Sequence, residues 1–225
     1  MSDTGTLKII ARIKNDFSTK FGIPRQSGLA PSLTAKIVFE KEFQSPEALT
    51  SLENFSHIWL IWEFSEAAQE NWSPTVRPPR LGGNKKVGVF ATRSPFRPNS
   101  LGLSAVKIEK IENGEIFISG ADLMDGTPIY DIKPYLPAVD SITSATDLFD
   151  KIAEKEPLKV VVSPEFIDKI PAEKFEALKE ILSLDPRPAY HNDPARVYGF
   201  QFAGCEIKFK VEEKILTVVS VLNKN

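Results

Sequence analysis

The sequence predicts a mainly β first domain, a barrel or a sandwich, over residues 1–140, followed by a small α+β domain over residues 141–225. Three observations carry this reading. Six short runs rich in Val, Ile, Phe and Trp occupy the chain up to Pro137, and several alternate apolar with polar residues. The pair Asn113-Gly114 lies between two of these runs and signals a hairpin. From Ser141 the texture changes: the clearest amphipathic helix of the chain is followed by three further strand-like runs.

The first-domain strands are expected at Leu7 to Ile13, Ala35 to Glu40, His57 to Phe64, Lys86 to Ala91, Leu103 to Ile111 and Glu115 to Ala121. One helix interrupts them. Ser45 suits the N-cap, Pro46 the first helical position and Glu47 the positive helix end, so a helix is expected from there to about Leu52. Val106, Ile108 and Ile111 face Ile116 and Ile118 across the Asn113-Gly114 turn. In the second part, Ser144 to Glu156 reads as a helix or linker and Leu158 to Ser163 as a strand. Ser163-Pro164 starts a helix, and Ala172 to Leu184 places Phe175, Leu178, Ile181 and Leu182 on one helical face. Val197 to Ala203, Cys205 to Val211 and Ile215 to Leu222 complete the strands, with turns at Gly204 and around Glu212 and Glu213.

Composition narrows the function classes. The 225 residues include 28 Lys plus Arg against 30 Asp plus Glu, a net charge of −2, which argues against a polycation that coats nucleic acid. The longest apolar runs, Ile58 to Trp62 and Val160 to Val162, fall short of the ~20 residues that cross a bilayer, so no membrane partner is expected. The start, MSDTGTLKII, has no basic stretch followed by a long apolar one, which argues against export. The single Cys205 excludes an intramolecular disulfide and a Cys-cluster metal site, and a reducing cytoplasm is the expected compartment. With only His57 and His191, no metal site is expected either.

The familiar catalytic signatures are missing: no GxGxxG after a strand, no GxxxxGK[ST], no HExxH and no GxSxG. Charge is unevenly spread instead. Between Glu70 and Glu109 lie Arg77, Arg80, Lys85, Lys86, Arg93, Arg97 and Lys107 without one Asp or Glu, a local positive field suited to phosphate. Four segments are unusually polar and constrained. KFGIPRQ (Lys20 to Gln26) sets Arg25 and Gln26 beside the rigid Pro24. VRPPRLGG (Val76 to Gly83) follows, and then GVFATRSPFRPN (Gly88 to Asn99), where Pro95 and Pro98 stiffen a loop whose Arg93 and Arg97 flank Phe96, a pattern suited to phosphate contact with base stacking. DLMDGTPIYDIKPYLP (Asp122 to Pro137) places carboxylates at Asp122, Asp125 and Asp131 around the turn Asp125-Gly126. Each also has a plain structural reading. Arg93 and Arg97 can pair with those aspartates inside the fold, His57 reads as a hydrogen-bonded strand residue, and Trp59 and Trp62 read as core.

Taken together in this order, and with FSHIWLIWEF (Phe55 to Phe64), the extension to Ser104 and DPRPAY (Asp185 to Tyr190), these segments resemble the TsaA-like family, also called YaeB or TrmO, of tRNA methyltransferases that use S-adenosylmethionine. The resemblance spans nearly the whole first domain. It implies a β-barrel that binds S-adenosylmethionine without a Rossmann fold, a homodimer with the cofactor cleft near the subunit interface, and methylation of N6 of the threonylcarbamoyl-modified adenosine next to the anticodon. Carried over position by position, it implies cofactor contacts from Pro24, Arg25, Gln26, Arg93, Leu103, Asp122, Leu123, Met124 and Asp125. Where many members follow Phe64 with His and a polar residue, this chain has Ser65 and Glu66, so backbone contact is what these two positions carry over. Asp122 and Asp125 supply acceptors for the sulfonium and ribose of the cofactor, and Arg25 or Arg93 a cation for its carboxylate. Arg77, Arg80, Lys85, Lys86 and Arg97 become candidates for the phosphates of the tRNA anticodon loop, and Arg187 and Tyr190 for further tRNA contact. No catalytic base is assigned. The contrasting expectation is a non-catalytic RNA-binding or nucleotide-sensing module built on the same basic loops.

Overall fold

The computed structural model describes residues 5–66, 72–78, 83–147, 156–188 and 193–223. The strands of its first part are β1 (Ala11–Lys14), β2 (Thr34–Phe39), β3 (His57–Glu63), β4 (Thr75–Val76), β5 (Val87–Gly88), β6 (Leu101–Glu112), β7 (Glu115–Ser119) and β8 (Pro128–Pro134). All but β4 and β5, which form a two-stranded ribbon, close into an antiparallel barrel in the order β1-β2-β7-β6-β3-β8. Closure settles the choice between barrel and sandwich, and it leaves no unpaired sheet edge. The barrel is filled by β-branched and aliphatic side chains in the inward phase of each strand, with Ile13, Ile37, Ile58, Leu60, Ile116, Ile118 and Ile129 all fully buried. Asn113 and Gly114 both adopt positive φ, 53° and 75°, as the tight turn between β6 and β7 requires.

Four local expectations change. The helix expected from Ser45 to Leu52 is two 3-10 turns, Pro46–Leu49 and Leu52–Asn54, because Thr50 leaves the helical region (ψ 129°) and Ser51 is left-handed (φ 69°) between them. The break lets Leu49 and Leu52 both pack against the barrel core. The strand expected from Leu7 begins at Ala11, and the one expected over Lys86 to Ala91 is the two-residue β5 followed by a 3-10 turn, Val89–Ala91, which sinks Val89 into the interior. β8 arises just after the Asp125-Gly126 turn, where no strand is expected from the sequence. Its register against β3 slips between Ile61 and Trp62, so Ile129 and Ile132, three residues apart, both turn toward the core and the alternation is broken.

A short helix α1 (Pro137–Asp140) follows the barrel. Of the helix or linker expected from Ser144 to Glu156, residues 144–147 are not helical and 148–155 lie outside the described residues. The second part contains β9 (Lys159–Val161), α2 (Pro164–Ile167), α3 (Phe175–Ser183), β10 (Tyr198–Phe202), β11 (Cys205–Glu212) and β12 (Ile215–Asn223). The expected long helix starts as a 3-10 turn, Ala172–Lys174, and becomes α-helical only from Phe175. The sheet order is β10-β11-β12-β9, with β9 parallel to β12, and α3 buries Ala177, Leu178, Ile181 and Leu182 in its core. Among the described residues, no helix is long and apolar enough to cross a membrane.

The two parts share a core. The long connection from β1 to β2 leaves the barrel and buries Phe17, Ala30 and Leu33 in the hydrophobic cluster of the second sheet. Phe17 lies 5.3 Å from Phe202 and Phe21 6.3 Å from Phe200, ring centroid to centroid. Gly22, at φ 93°, leaves no room for a Cβ beside the Phe200 ring. Polar contacts fix the same seam: Lys174 Nζ lies 2.6 Å from Asp16, and Glu180 accepts 2.8 Å hydrogen bonds from both the backbone and the hydroxyl of Ser32.

Candidate functional site

Because every neighbouring pair in the barrel is antiparallel, the connections β1 to β2, β3 to β6 and β7 to β8 all leave from one rim. Three of the four polar segments singled out in the sequence lie on the first two of these connections, and the fourth starts on the third, as residues 122–127, before it becomes β8. Topology alone thus brings together stretches that are about a hundred residues apart in the chain.

At this rim the side chains form a connected cluster. Trp62 Nε1 donates to Ser104 Oγ (2.9 Å), and the Ser104 hydroxyl donates to Asp122 Oδ1 (2.5 Å). Gly102 permits it, since a Cβ there would overlap the Trp62 indole. Gln26 accepts a hydrogen bond from Arg93 Nη1, and its own amide donates to the Arg25 carbonyl (2.6 Å). The backbone of Ser27 and the Arg93 cation both act on Asp122, tying the two halves together. The Gly28 N–H donates to the Gly120 carbonyl (2.8 Å), which holds the loop after Gln26 against the loop before Asp122. Burial pushes the Asp122 carboxyl above its ordinary 3.8, against the opposing hydrogen bonds of Ser104 and of the backbone and the pull of Arg93.

The expected cofactor residues separate into groups. Gln26, Arg93 and Asp122 meet in the cluster, with Pro24 buried and Arg25 exposed beside them. Leu123 is a barrel core residue and Met124 is half-buried in the turn that follows. Asp125 accepts from the backbone N–H of Asn15 (3.0 Å) and faces Lys14 Nζ at 3.5 Å, so its carboxylate braces the turn. Ser65 and Glu66 are exposed at the rim end of β3. Leu103 lies on the outer barrel wall, 57% exposed, while its neighbour Ser104 points inward.

The cations also separate. Arg77, Lys85 and Lys86 are exposed, whereas Arg97 is turned onto its own loop, donating to the Thr92 carbonyl (2.7 Å) and lying over Phe90 rather than flanking Phe96 with Arg93. Arg187 is a two-bonded partner of Asp185 (2.7 and 3.0 Å) with only 12% of its side chain exposed, and that carboxylate holds the guanidinium's pKa above its ordinary value. Arg80 and Tyr190 lie outside the described residues.

Sequence reasoning missed Ser104 and Asn15, whereas Trp62 is core as expected and adds its indole N–H to the cluster. Asn15 donates to the Leu123 carbonyl (2.6 Å) and accepts from the Phe17 N–H (3.0 Å), lacing two of the three connections together. One signal was available: Gly102, Ser104 and Val106 share the inward phase of β6, and a hydroxyl there needs a buried partner.

The cluster offers a half-buried acceptor and two cations, drawn from separate connections, around one opening at the rim. That donor set fits a ligand carrying a cation, hydroxyls and a carboxylate together, as S-adenosylmethionine does.

Comparison with known proteins agrees. Residues 12–141 match the tRNA-methyltransferase O N-terminal domain and residues 155–224 the TrmO C-terminal domain. A tRNA (adenine(37)-N6)-methyltransferase of Eikenella corrodens is 44% identical over 173 residues, 75% of this chain and 98% of that protein. An S-adenosyl-L-methionine-binding protein of Archaeoglobus fulgidus is 33% identical over 136 residues, 60% of this chain and 93% of its own length. The crystal structure of TrmO from Pseudomonas aeruginosa superposes with a TM-score of 0.81 at 31% identity, covering 98% of this chain and all of that one.

Proposed function

The chain belongs to the tRNA-methyltransferase O family, and on that premise we propose that it methylates N6 of adenosine 37 in tRNA, with S-adenosylmethionine as methyl donor. The observation that carries the assignment of residues is the Trp62–Ser104–Asp122 chain of hydrogen bonds joined to Gln26 and Arg93 at one rim.

S-adenosylmethionine, when bound, supplies a methyl group on a positively charged sulfur, open to in-line displacement. Asp122 is the acceptor for the cation or the ribose hydroxyls, held in one orientation by Ser104 and Trp62. Arg93, steered by Gln26, and the exposed Arg25 serve the carboxylate. Pro24 and Met124 form the wall, Leu123 backs it from the barrel core, Ser65 and Glu66 offer backbone groups at its edge, and Asp125 keeps the 122–126 turn in place. Rate then rests on positioning, because the carbamoyl substituent of the expected substrate makes the N6 proton easier to remove than in plain adenine.

Arg77, Lys85 and Lys86 are the phosphate contacts for the anticodon loop, joined by Arg80, whereas Arg97 and Arg187 act within the fold. A homodimer is part of the proposal. Leu103 and Leu101 project from the outer wall beside the site, 57% and 38% exposed, and a second subunit that covers them adds a wall to a shallow cofactor site. A tRNA substrate and a lone, buried Cys205 support a cytoplasmic setting.

Methylation of bulk tRNA with and without the threonylcarbamoyl modification tests the reading. The modified pool should gain one methyl at that nucleoside and the unmodified pool far less. S-adenosylmethionine binding without methylation of either pool would leave a sensing module instead.

A further inference from the structure

Outside the cofactor cluster, the same rim presents two large aromatic side chains to solvent. Trp72 is 48% exposed and Phe90 70% exposed. Their rings are stacked, 6.0 Å apart at 30°, and the Arg97 guanidinium lies 5.8 Å from the Phe90 ring centre. The arrangement is built rather than incidental. The ribbon of β4 and β5 separates the two residues in sequence and joins them in space, with the Val89 N–H donating to the Pro74 carbonyl (3.0 Å). Val89, one residue before Phe90, is buried and anchors the turn, and Thr92 Oγ1 closes that turn on the Val89 carbonyl (2.8 Å). Arg97 is fastened to the Thr92 carbonyl, so its planar group stays beside the ring.

Two exposed rings held this way leave apolar area in water that a flat partner can cover by stacking. The surroundings favour a nucleobase. From Asn71 to Lys107 the chain carries no carboxylate, and Arg77, Lys85 and Lys86 are exposed along the same connection. Cations that track a phosphate backbone beside rings that stack bases are the pairing used to hold unpaired nucleotides. The ring pair also shares its loop with the site: Arg93, next to Thr92, touches Gln26 in the cofactor cluster.

We propose that Trp72 and Phe90 form a stacking platform for an unpaired anticodon-loop base neighbouring the methylated adenosine, with Arg97 steadying Phe90. This rests on the tRNA methyltransferase reading, and it adds which surface receives the loop. A stacked neighbour would hold the loop open while the target base reaches the methyl donor, without the expense of opening a duplex.

Steady-state methylation of modified tRNA by Phe90→Leu and Trp72→Leu variants tests this, since leucine keeps apolar bulk and removes the flat ring. KM for tRNA should rise roughly tenfold or more, the scale of one lost base stack. Phe90→Tyr should restore it, and calorimetric affinity for S-adenosylmethionine should hold. Trp72 fluorescence, taken as the difference between wild type and Trp72→Phe, should be quenched by a synthetic anticodon stem-loop. Unchanged tRNA kinetics in folded leucine variants would overturn the platform. So would light scattering in which those variants lose the proposed dimer, because a second copy would then be what covers the rings. A wild-type chain that binds no S-adenosylmethionine and methylates no tRNA would instead bring down the functional reading itself.

Discussion

Asp122 is under two opposing demands. Folding partly removes it from water, which favours the neutral acid, whereas a cationic ligand needs the carboxylate. The pH consequences have opposite signs. Because the folded-state pKa is raised, this group's contribution to stability is present at acid pH and is lost as pH climbs from the ordinary 3.8 through the raised value. Affinity for S-adenosylmethionine should run the other way, weakening as pH falls through that same raised value. Asp122→Asn should therefore bind less tightly at neutral pH, by about 1–3 kcal/mol, and lose the acid-side dependence. Calorimetric titration across the acidic range checks both features, and a wild-type affinity that is flat there would count against Asp122 as the acceptor. Asp125, which the sequence offers as an equal candidate, already has a backbone N–H as its partner, a distinction that residue type cannot reveal. Ser104 is equally hidden in the sequence, because its meaning depends on sitting opposite Leu60 and next to Trp62 across the β3–β6 register.

The β1–β2 connection is the element that links the site to the second part of the chain. It carries Pro24 to Gln26 at its middle, and Asp16 near its start and Ser32 near its end are both bonded to the second part. Glu180→Ala removes both bonds to Ser32 from a residue on α3. It should lower unfolding stability by about 1–3 kcal/mol and weaken S-adenosylmethionine binding several-fold, with Glu180→Gln intermediate in both. A variant that is less stable but binds the cofactor normally would show that the loop keeps its shape without the seam. Some elements are legible in the amino-acid sequence because their cause is local. Asn113-Gly114 is a turn since both residues accept positive φ, and α3 is a helix since its apolar face repeats at helical spacing. β8 is not legible in this way, because the bulge that puts Ile129 and Ile132 on one side exists only once β8 pairs with β3. The Ser45 signal is locally sound, yet Leu49 and Leu52 reach the barrel core only if the helix breaks at Thr50-Ser51.

At the scale of the molecule, strand order does what no single motif can. Closing six antiparallel strands puts three connections on one rim, and the residues that resemble a cofactor site become neighbours there. In the sequence these stretches are polar, proline-stiffened and basic, and their resemblance to a family assigns them roles. Their convergence, and the burial of the first connection in the second sheet, depend on the closed topology and are not readable from spacing. The Gln26, Arg93, Ser104 and Asp122 cluster at the rim shares no residue with the groove of about 550 Å³ between the two parts, lined by Thr19, Phe21, Tyr198, Phe200 and Lys208 among others. A crystal structure of the chain with S-adenosylmethionine tests the central claim most directly. Ligand density is expected at the rim, in contact with Asp122, Arg93 and the 24–26 backbone. Density in the groove between the two parts, with the rim residues untouched, would contradict it.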